Sequence, residues 1–315
     1  MDFSLLRELN SIIETDRADT TYKYALLRAI SEICQENRKC ECSGGRYVLP
    51  FGAVIAKWLL YYYPIFDSQR FIPQKHNEKP VGKPGKKIAF REQFQQITDY
   101  YGDGNGGISE FYVNYLKGTI PTNLNSKLIV LLGQLRDAIR YPMKHLGSKS
   151  YGKYNAIFFD HKNGKRNTLQ NVNPELVHTR FGDFSISKDH YNLFKLVGGF
   201  ISGEASVLNK WAEFTVNANP KRCITYETIT KILYEHPETE RNTTDSKSFY
   251  NTLQESEPIT CIWSGKKIAP NELNIDHMLP FAHTKNNHLW NLLPSSKTMN
   301  SKKSDKIPSP SLLRK

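Results

Sequence analysis

Near its C-terminal end the chain reads Ile275-Asp276-His277-Met278-Leu279-Pro280, then Leu289-Trp290-Asn291-Leu292-Leu293-Pro294, then Met299-Asn300-Ser301-Lys302-Lys303-Ser304-Asp305. Adjacent residues of a strand point to opposite faces, so Asp276 and His277 cannot both face one site from a regular strand. The strand must end or bend there. Pro280 supports a loop after it, and Pro294 before Ser295 and Ser296 offers a helix start with a serine cap. Residues 297–304 then form a short helix that carries Asn300. The order is strand, loop, strand, helix, with an acid, an imidazole and two carboxamides in one short segment.

That residue set suits the hydrolysis of a phosphodiester. The reaction needs a base to activate water, a cation to neutralise developing charge, and groups that hold both in line. An imidazole ordinarily titrates near neutral pH, which makes His277 the candidate base. Asp276 and the amide oxygen of Asn300 are hard donors for one Mg²⁺ or Mn²⁺, whose remaining positions go to waters and phosphate oxygens. The surroundings are basic: from residue 259 onward nine Lys and Arg stand against three acids, half of the formal charge of +12. Lys266, Lys267, Lys297, Lys302, Lys303 and Lys306 are the candidate nucleic-acid contacts, because clustered cations on phosphate gain from counterion release.

These segments together resemble the HNH nuclease motif over roughly residues 260–309. They look especially similar to the HNH domain of the type II RNA-guided CRISPR nucleases. Upstream, Cys261-Ile262-Trp263-Ser264-Gly265-Lys266-Lys267 resembles the opening of this domain in bacterial HNH proteins of restriction and defence. The resemblance implies a ββα-metal finger in which Asn291 ties the intervening loop together and so holds His277 in its working orientation. It also implies a DNA endonuclease using a single divalent metal and acting in restriction or antiviral defence. An RNase, or a nucleic-acid-binding scaffold subunit of a defence complex, are the alternatives. One departure stands out. Many HNH domains bind a structural zinc through two cysteine pairs, and the matching places here are Cys261 with Ser264 and Ser296 with Met299. A lone thiol cannot hold tetrahedral zinc, so none is expected, and Trp263, Ile268, Leu273, Leu289 and Trp290 should pack the finger instead. His283 and His288 are set aside as spare.

The rest of the chain reads as mainly helical. Residues 2–36 carry apolar residues at helix spacing on either side of a polar break at 16–20, and the apolar run 53–63, rich in aromatics, suggests a buried helix ended by Pro64. Residues 155–160 and 182–187 read as short strands, and 191–214 returns to helix spacing with a close contact or kink at Gly198 and Gly199. Residues 74–87 form a Pro- and Gly-rich loop with five lysines, for which a phosphate-binding surface and a merely solvated one weigh equally. The expected class is therefore α+β, mainly α. A helical recognition, sensor or docking domain with a small β insertion spans 1–220, and a nuclease domain spans 221–315. The docking domain would engage a partner protein or a second copy of the chain. A pI near 9.3 favours a polyanionic partner, with DNA first and RNA open. The five cysteines are odd in number and scattered, unlike a disulfide framework, and no secretory or membrane-spanning segment is read, so the expected setting is cytoplasmic.

Overall fold

The computed structural model describes residues 3–15, 18–36, 41–102, 107–146, 157–164, 171–202, 207–218, 224–234, 243–281, 287 and 289–309. The fold is mainly α with small sheets, and the chain divides into two compact units, Met1–Leu233 and Tyr234–Lys315. Among the described residues no helix is long and apolar enough to cross a membrane.

In the first unit, α1 (Phe3–Thr15) and α2 (Tyr22–Gln35) flank the polar break, and α2 is buried along nearly its whole length. A hairpin follows, β1 (Glu41–Ser43) and β2 (Arg46–Pro50), whose turn residues Gly44 and Gly45 have φ of 55° and 72°. A two-residue turn matched to strand twist requires that left-handed backbone. With β3 (Phe158–Asp160) and β4 (Asp183–Ser187) they form an antiparallel sheet in the order β1-β2-β4-β3. Residues 155 and 156, also read as strand, lie outside the described residues.

The apolar run forms α3 (Phe51–Phe66), which buries Trp58, Tyr62 and Tyr63 completely. Pro64 does not end this helix, as the sequence suggested. It lacks only its own N–H, while Asp67 N still donates to Tyr63 O and the core buries Ile65 and Phe66 beyond it. The unit is completed by α4 (Arg91–Gly102), α5 (Gly107–Lys117), α6 (Thr122–His145), α7 (Pro174–Arg180), α8 (Lys188–Ser202), α9 (Val207–Ala218) and α10 (Tyr226–Leu233). Gly198 of α8 lets that helix press on α2, since a Cβ there would lie 2.9 Å from the Gln35 side chain and 3.1 Å from Ser31 O. Residues 226–233 were assigned by sequence to the nuclease segment. Ile229 and Leu233 instead pack into the large N-terminal core.

The segment joining α3 to α4 is pinned by buried polar groups. Gln74 Oε1 accepts from Trp211 Nε1 at 2.8 Å and from Thr21 Oγ1 at 2.9 Å. Glu78 and Arg91 form an ion pair at 2.6 Å with side chains 0% and 3% exposed, and the guanidinium lies over the rings of Phe66 and Phe71.

The second unit begins with α11 (Thr244–Ser256). A tight hairpin bridged at Thr260 and Lys267 follows, then β5 (Leu273–His277), β6 (Leu292–Ser296) and α12 (Lys297–Lys303). Its core is small: Ile259, Cys261, Ile268 and Leu273, with Tyr250, Leu253, Trp263 and Met299 against it. Leu289 and Trp290, expected in that core, are 41% and 50% exposed. They precede Asn291 in a single 3-10 turn, and burying the Asn291 side chain faces these two outward. Tyr250 and Leu253 of α11 supply the missing packing.

Removing one member of a fully buried ion pair leaves an uncompensated charge. Arg91→Ala should therefore cost about 3–5 kcal/mol in denaturant unfolding of the first unit. A cost below about 1 kcal/mol would place Glu78 in contact with water.

Candidate active site

Strands β5 and β6 pair antiparallel with Asp276 opposite Leu293 and His277 opposite Leu292. The preceding hairpin folds back on them: Gly265 N donates to Cys261 O at 2.7 Å, and Ile262 N donates to Pro294 O at 3.0 Å. Ser296 caps α12, its hydroxyl accepting from Met299 N, and so aims the helix that carries Asn300 across β5. The local order of strand, loop, strand and serine-capped helix is the one read from the sequence.

Asp276 and His277 are each 2% exposed. The Asp276 carboxylate accepts from Trp263 Nε1 at 2.8 Å and lies 3.4 Å from Lys303 Nζ. His277 faces other partners: its Nε2 is 2.9 Å from Asn287 Oδ1, and its ring meets Phe281 at 5.4 Å. The strand β5 ends at His277. Asn287 was missed by sequence reasoning, since it sits in a polar run with nothing to mark it. Because an amide oxygen only accepts, this contact puts the proton on Nε2, and the lone pair of a neutral ring lies on Nδ1.

Asn291 is completely buried, and its carboxamide closes the loop after β5. Oδ1 accepts from Leu279 N at 2.7 Å, Nδ2 donates to Leu279 O at 3.0 Å, and the Asn291 carbonyl accepts from Met278 N at 2.7 Å. Asn300 Nδ2 donates to Ile275 O at 3.3 Å, which brings the amide beside the residue that precedes Asp276.

The lysines divide. Lys266, Lys267, Lys297, Lys302 and Lys306 are exposed. Lys303, expected with them on the phosphate-binding surface, turns inward. Its side chain is 9% exposed, and its ammonium donates to His277 O at 2.6 Å and lies 5.4 Å from the centre of the Trp263 ring. The buried Asp276 carboxylate draws it there. His283, His288 and Lys285 lie outside the described residues.

The places matched to zinc ligands gather in one spot. Cys261 Sγ is 3.8 Å from Ser295 Oγ and also meets the Ser264 hydroxyl, while Met299 packs on the same core. Burial pushes the Cys261 thiol up, but hydrogen bonds from the Ser264 hydroxyl and from the N–H groups of Ser296, Ser264 and Trp263 together outweigh it and bring it down to about 7. The hairpin keeps N–H groups aimed at a sulfur, with two serines and a thioether where further thiolates would stand.

An HNH finger implies a divalent metal, and the donor set here suits a hard cation. Asp276 and Asn300 carry a carboxylate and a carboxamide oxygen on neighbouring elements, and the Lys303 ammonium, 3.4 Å from that carboxylate, would compete with a cation for it. Among the described residues there is no cluster of three His, Cys, Asp or Glu side chains. Any site here therefore leaves most coordination positions to water and substrate.

Comparison with known families agrees with this geometry. The HNH endonuclease family model matches residues 261–309, so the finger is an HNH endonuclease domain. A second model, described as a domain of unknown function (DUF8808), matches residues 3–233. The chain belongs to that family. No curated protein and no solved structure matches the chain.

Two outcomes follow from these contacts. Asn291→Ala strips both partners from the Leu279 backbone and should destabilise the finger by about 1–3 kcal/mol, read as faster amide hydrogen exchange at Met278 and Leu279. Unchanged exchange there would show that the loop closes without the carboxamide. Cys261 has its folded pKa lowered, so its thiolate stabilises the finger fully above the ordinary thiol value, 9.0, and that contribution is lost as pH falls through about 7. The thiolate absorbance should titrate near 7, and Cys261→Ser should flatten the rise in finger stability between those two values. A titration at the ordinary thiol pKa would contradict the hydrogen-bonded sulfur.

Proposed function

We propose that this protein is a metal-dependent DNA endonuclease in which His277 is the general base and Asp276 and Asn300 hold one Mg²⁺ or Mn²⁺. The observation that carries the proposal is the orientation of the His277 ring. Asn287 holds Nε2 at 2.9 Å, and the Asn291 carboxamide fixes the backbone just past the strand end. With Nε2 held, the lone pair of the buried Nδ1 would take a proton from the attacking water as the water oxygen bonds to phosphorus and the bond to the leaving oxygen breaks, that oxygen taking a proton from solvent. The imidazolium then returns that proton to solvent. A bound divalent cation would supply charge neutralisation at the scissile phosphate and the leaving oxygen. Asn291 acts as a positioning residue through the loop, not on the substrate. Exposed Lys266, Lys267, Lys297, Lys302 and Lys306 steady the flanking phosphates.

One finger cuts one strand, so a double-strand break takes two copies or two successive nicks. The setting we propose is a bacterial-type restriction or antiviral defence enzyme of the cytoplasm, where a thiol such as that of Cys261 stays reduced. The first unit selects the target or senses a partner. A finger of this size meets mainly backbone, so hydrolysis of RNA is the second reading.

The purified chain should nick supercoiled plasmid with Mg²⁺ or Mn²⁺ and not with EDTA. His277→Ala should lose about two to four orders of magnitude in rate while still binding DNA. Full activity in that variant would remove His277 as the base. Cleavage confined to RNA would replace the DNA reading with the second one.

A further inference from the structure

The loop 75–87 of the first unit displays Lys75, Lys79, Lys83, Lys86 and Lys87, and its two sequence readings were a phosphate-binding surface and a solvated one. Three structural observations separate them.

The first concerns charge. Between residues 68 and 91 the only acid is Glu78, which is buried and consumed internally. Its carboxylate takes both Arg91 nitrogens, at 2.6 and 3.0 Å, together with Gln74 N at 2.6 Å and Ile88 N at 3.3 Å. The outer face of the loop is therefore cationic throughout. Among the described residues, none of its five lysines forms an ion pair.

The second concerns order. Lys79 N donates to Lys86 O at 2.8 Å and Lys83 N to Pro80 O at 3.1 Å, while Lys75 and Lys86 pair by backbone bridges with Thr20 and Glu78. Gly82 and Gly85 take left-handed φ of 80° and 131°, and Pro80 and Pro84 fix φ on the other side. The lysine backbones are thus set before any ligand arrives, which lowers the ordering cost of binding.

The third concerns anchorage. The loop is tied to the core through Gln74, Glu78 and Arg91, so a load on the lysines is transmitted to the large unit.

We infer that loop 75–87 is a nucleic-acid-binding site: a preformed cationic surface that takes the phosphates of a duplex backbone without reading bases. Acidic protein and anionic lipid are less suited. Val81 is the one large apolar side chain exposed on the loop, at 41%, which is little to insert into a bilayer, and several cations on one ordered loop suit the repeated charge of a phosphate backbone. The choice of nucleic acid rests on the nuclease reading of the finger. The site itself does not lie in the finger, so its effect is read by binding and not by cleavage.

The test is anisotropy binding of the full chain to a short labelled duplex, in EDTA, over a salt series, for wild type and for K79A/K83A/K86A/K87A. Four lost phosphate contacts should reduce the slope of log affinity against log salt by roughly 3–4 units, with an unchanged circular dichroism spectrum. Should the quadruple variant misfold, Lys83→Gln and Lys86→Gln singly should each lower the slope by about one unit. A wild-type slope in folded variants overturns the site whether or not the finger cuts DNA. Binding of wild type to phosphatidylserine vesicles but not to duplex would overturn it in favour of a membrane surface. A nuclease assay that fails while the slope falls as expected would leave the site standing and remove only the reading of the finger.

Discussion

The carboxylate of Asp276 is the point on which the finger turns. It is 2% exposed, and a buried carboxylate persists only with partners that replace water. Trp263 Nε1 reaches it from the hairpin at 2.8 Å and Lys303 Nζ from the last turn of α12 at 3.4 Å, while the same ammonium holds His277 O at 2.6 Å. Three elements that share a small apolar core are thereby cross-linked through one charged group. The core alone, built on Ile259, Cys261, Ile268 and Leu273, is small, so polar closure carries much of the order near the site.

Asn291 does for the loop what Asp276 does for the elements. It holds both backbone groups of Leu279, and the strand therefore ends where the candidate base stands. The cysteine pocket belongs to the same hairpin that carries Trp263. N–H groups converge on Cys261 as they would on a metal-bound thiolate, and serine hydroxyls and Met299 fill the rest with hydrogen bonds and packing.

Much of this was legible because it is local. Pro294 and the serines announce the cap of α12, and Asp276, His277, Asn291 and Asn300 stand at motif spacing. What sequence did not reveal depends on contacts between elements. Asn287 looks like any loop asparagine until it meets His277, and Lys303 looks like Lys302 until the buried carboxylate turns it inward. Leu289 and Trp290 were misread for the same reason: hydrophobicity favours burial but does not say which neighbours will be available, and Tyr250 and Leu253 filled the space. In the first unit the helix at 51–66 outlasted its proline because the aromatic core holds its end. Residues 122–145 drew no reading from the sequence, although Leu124, Leu128, Leu131, Leu132, Leu135 and Ile139 recur at the helix period of α6.

The central claim is that one cation site, made by Asp276 and Asn300, is separate in role from the base at His277. Titration of Mn²⁺ followed by electron paramagnetic resonance tests it without any cleavage. The account predicts a single site per chain that is weakened in Asp276→Ala and Asn300→Ala and retained in His277→Ala. Binding unaffected by Asp276→Ala and Asn300→Ala, or abolished by His277→Ala alone, would contradict it.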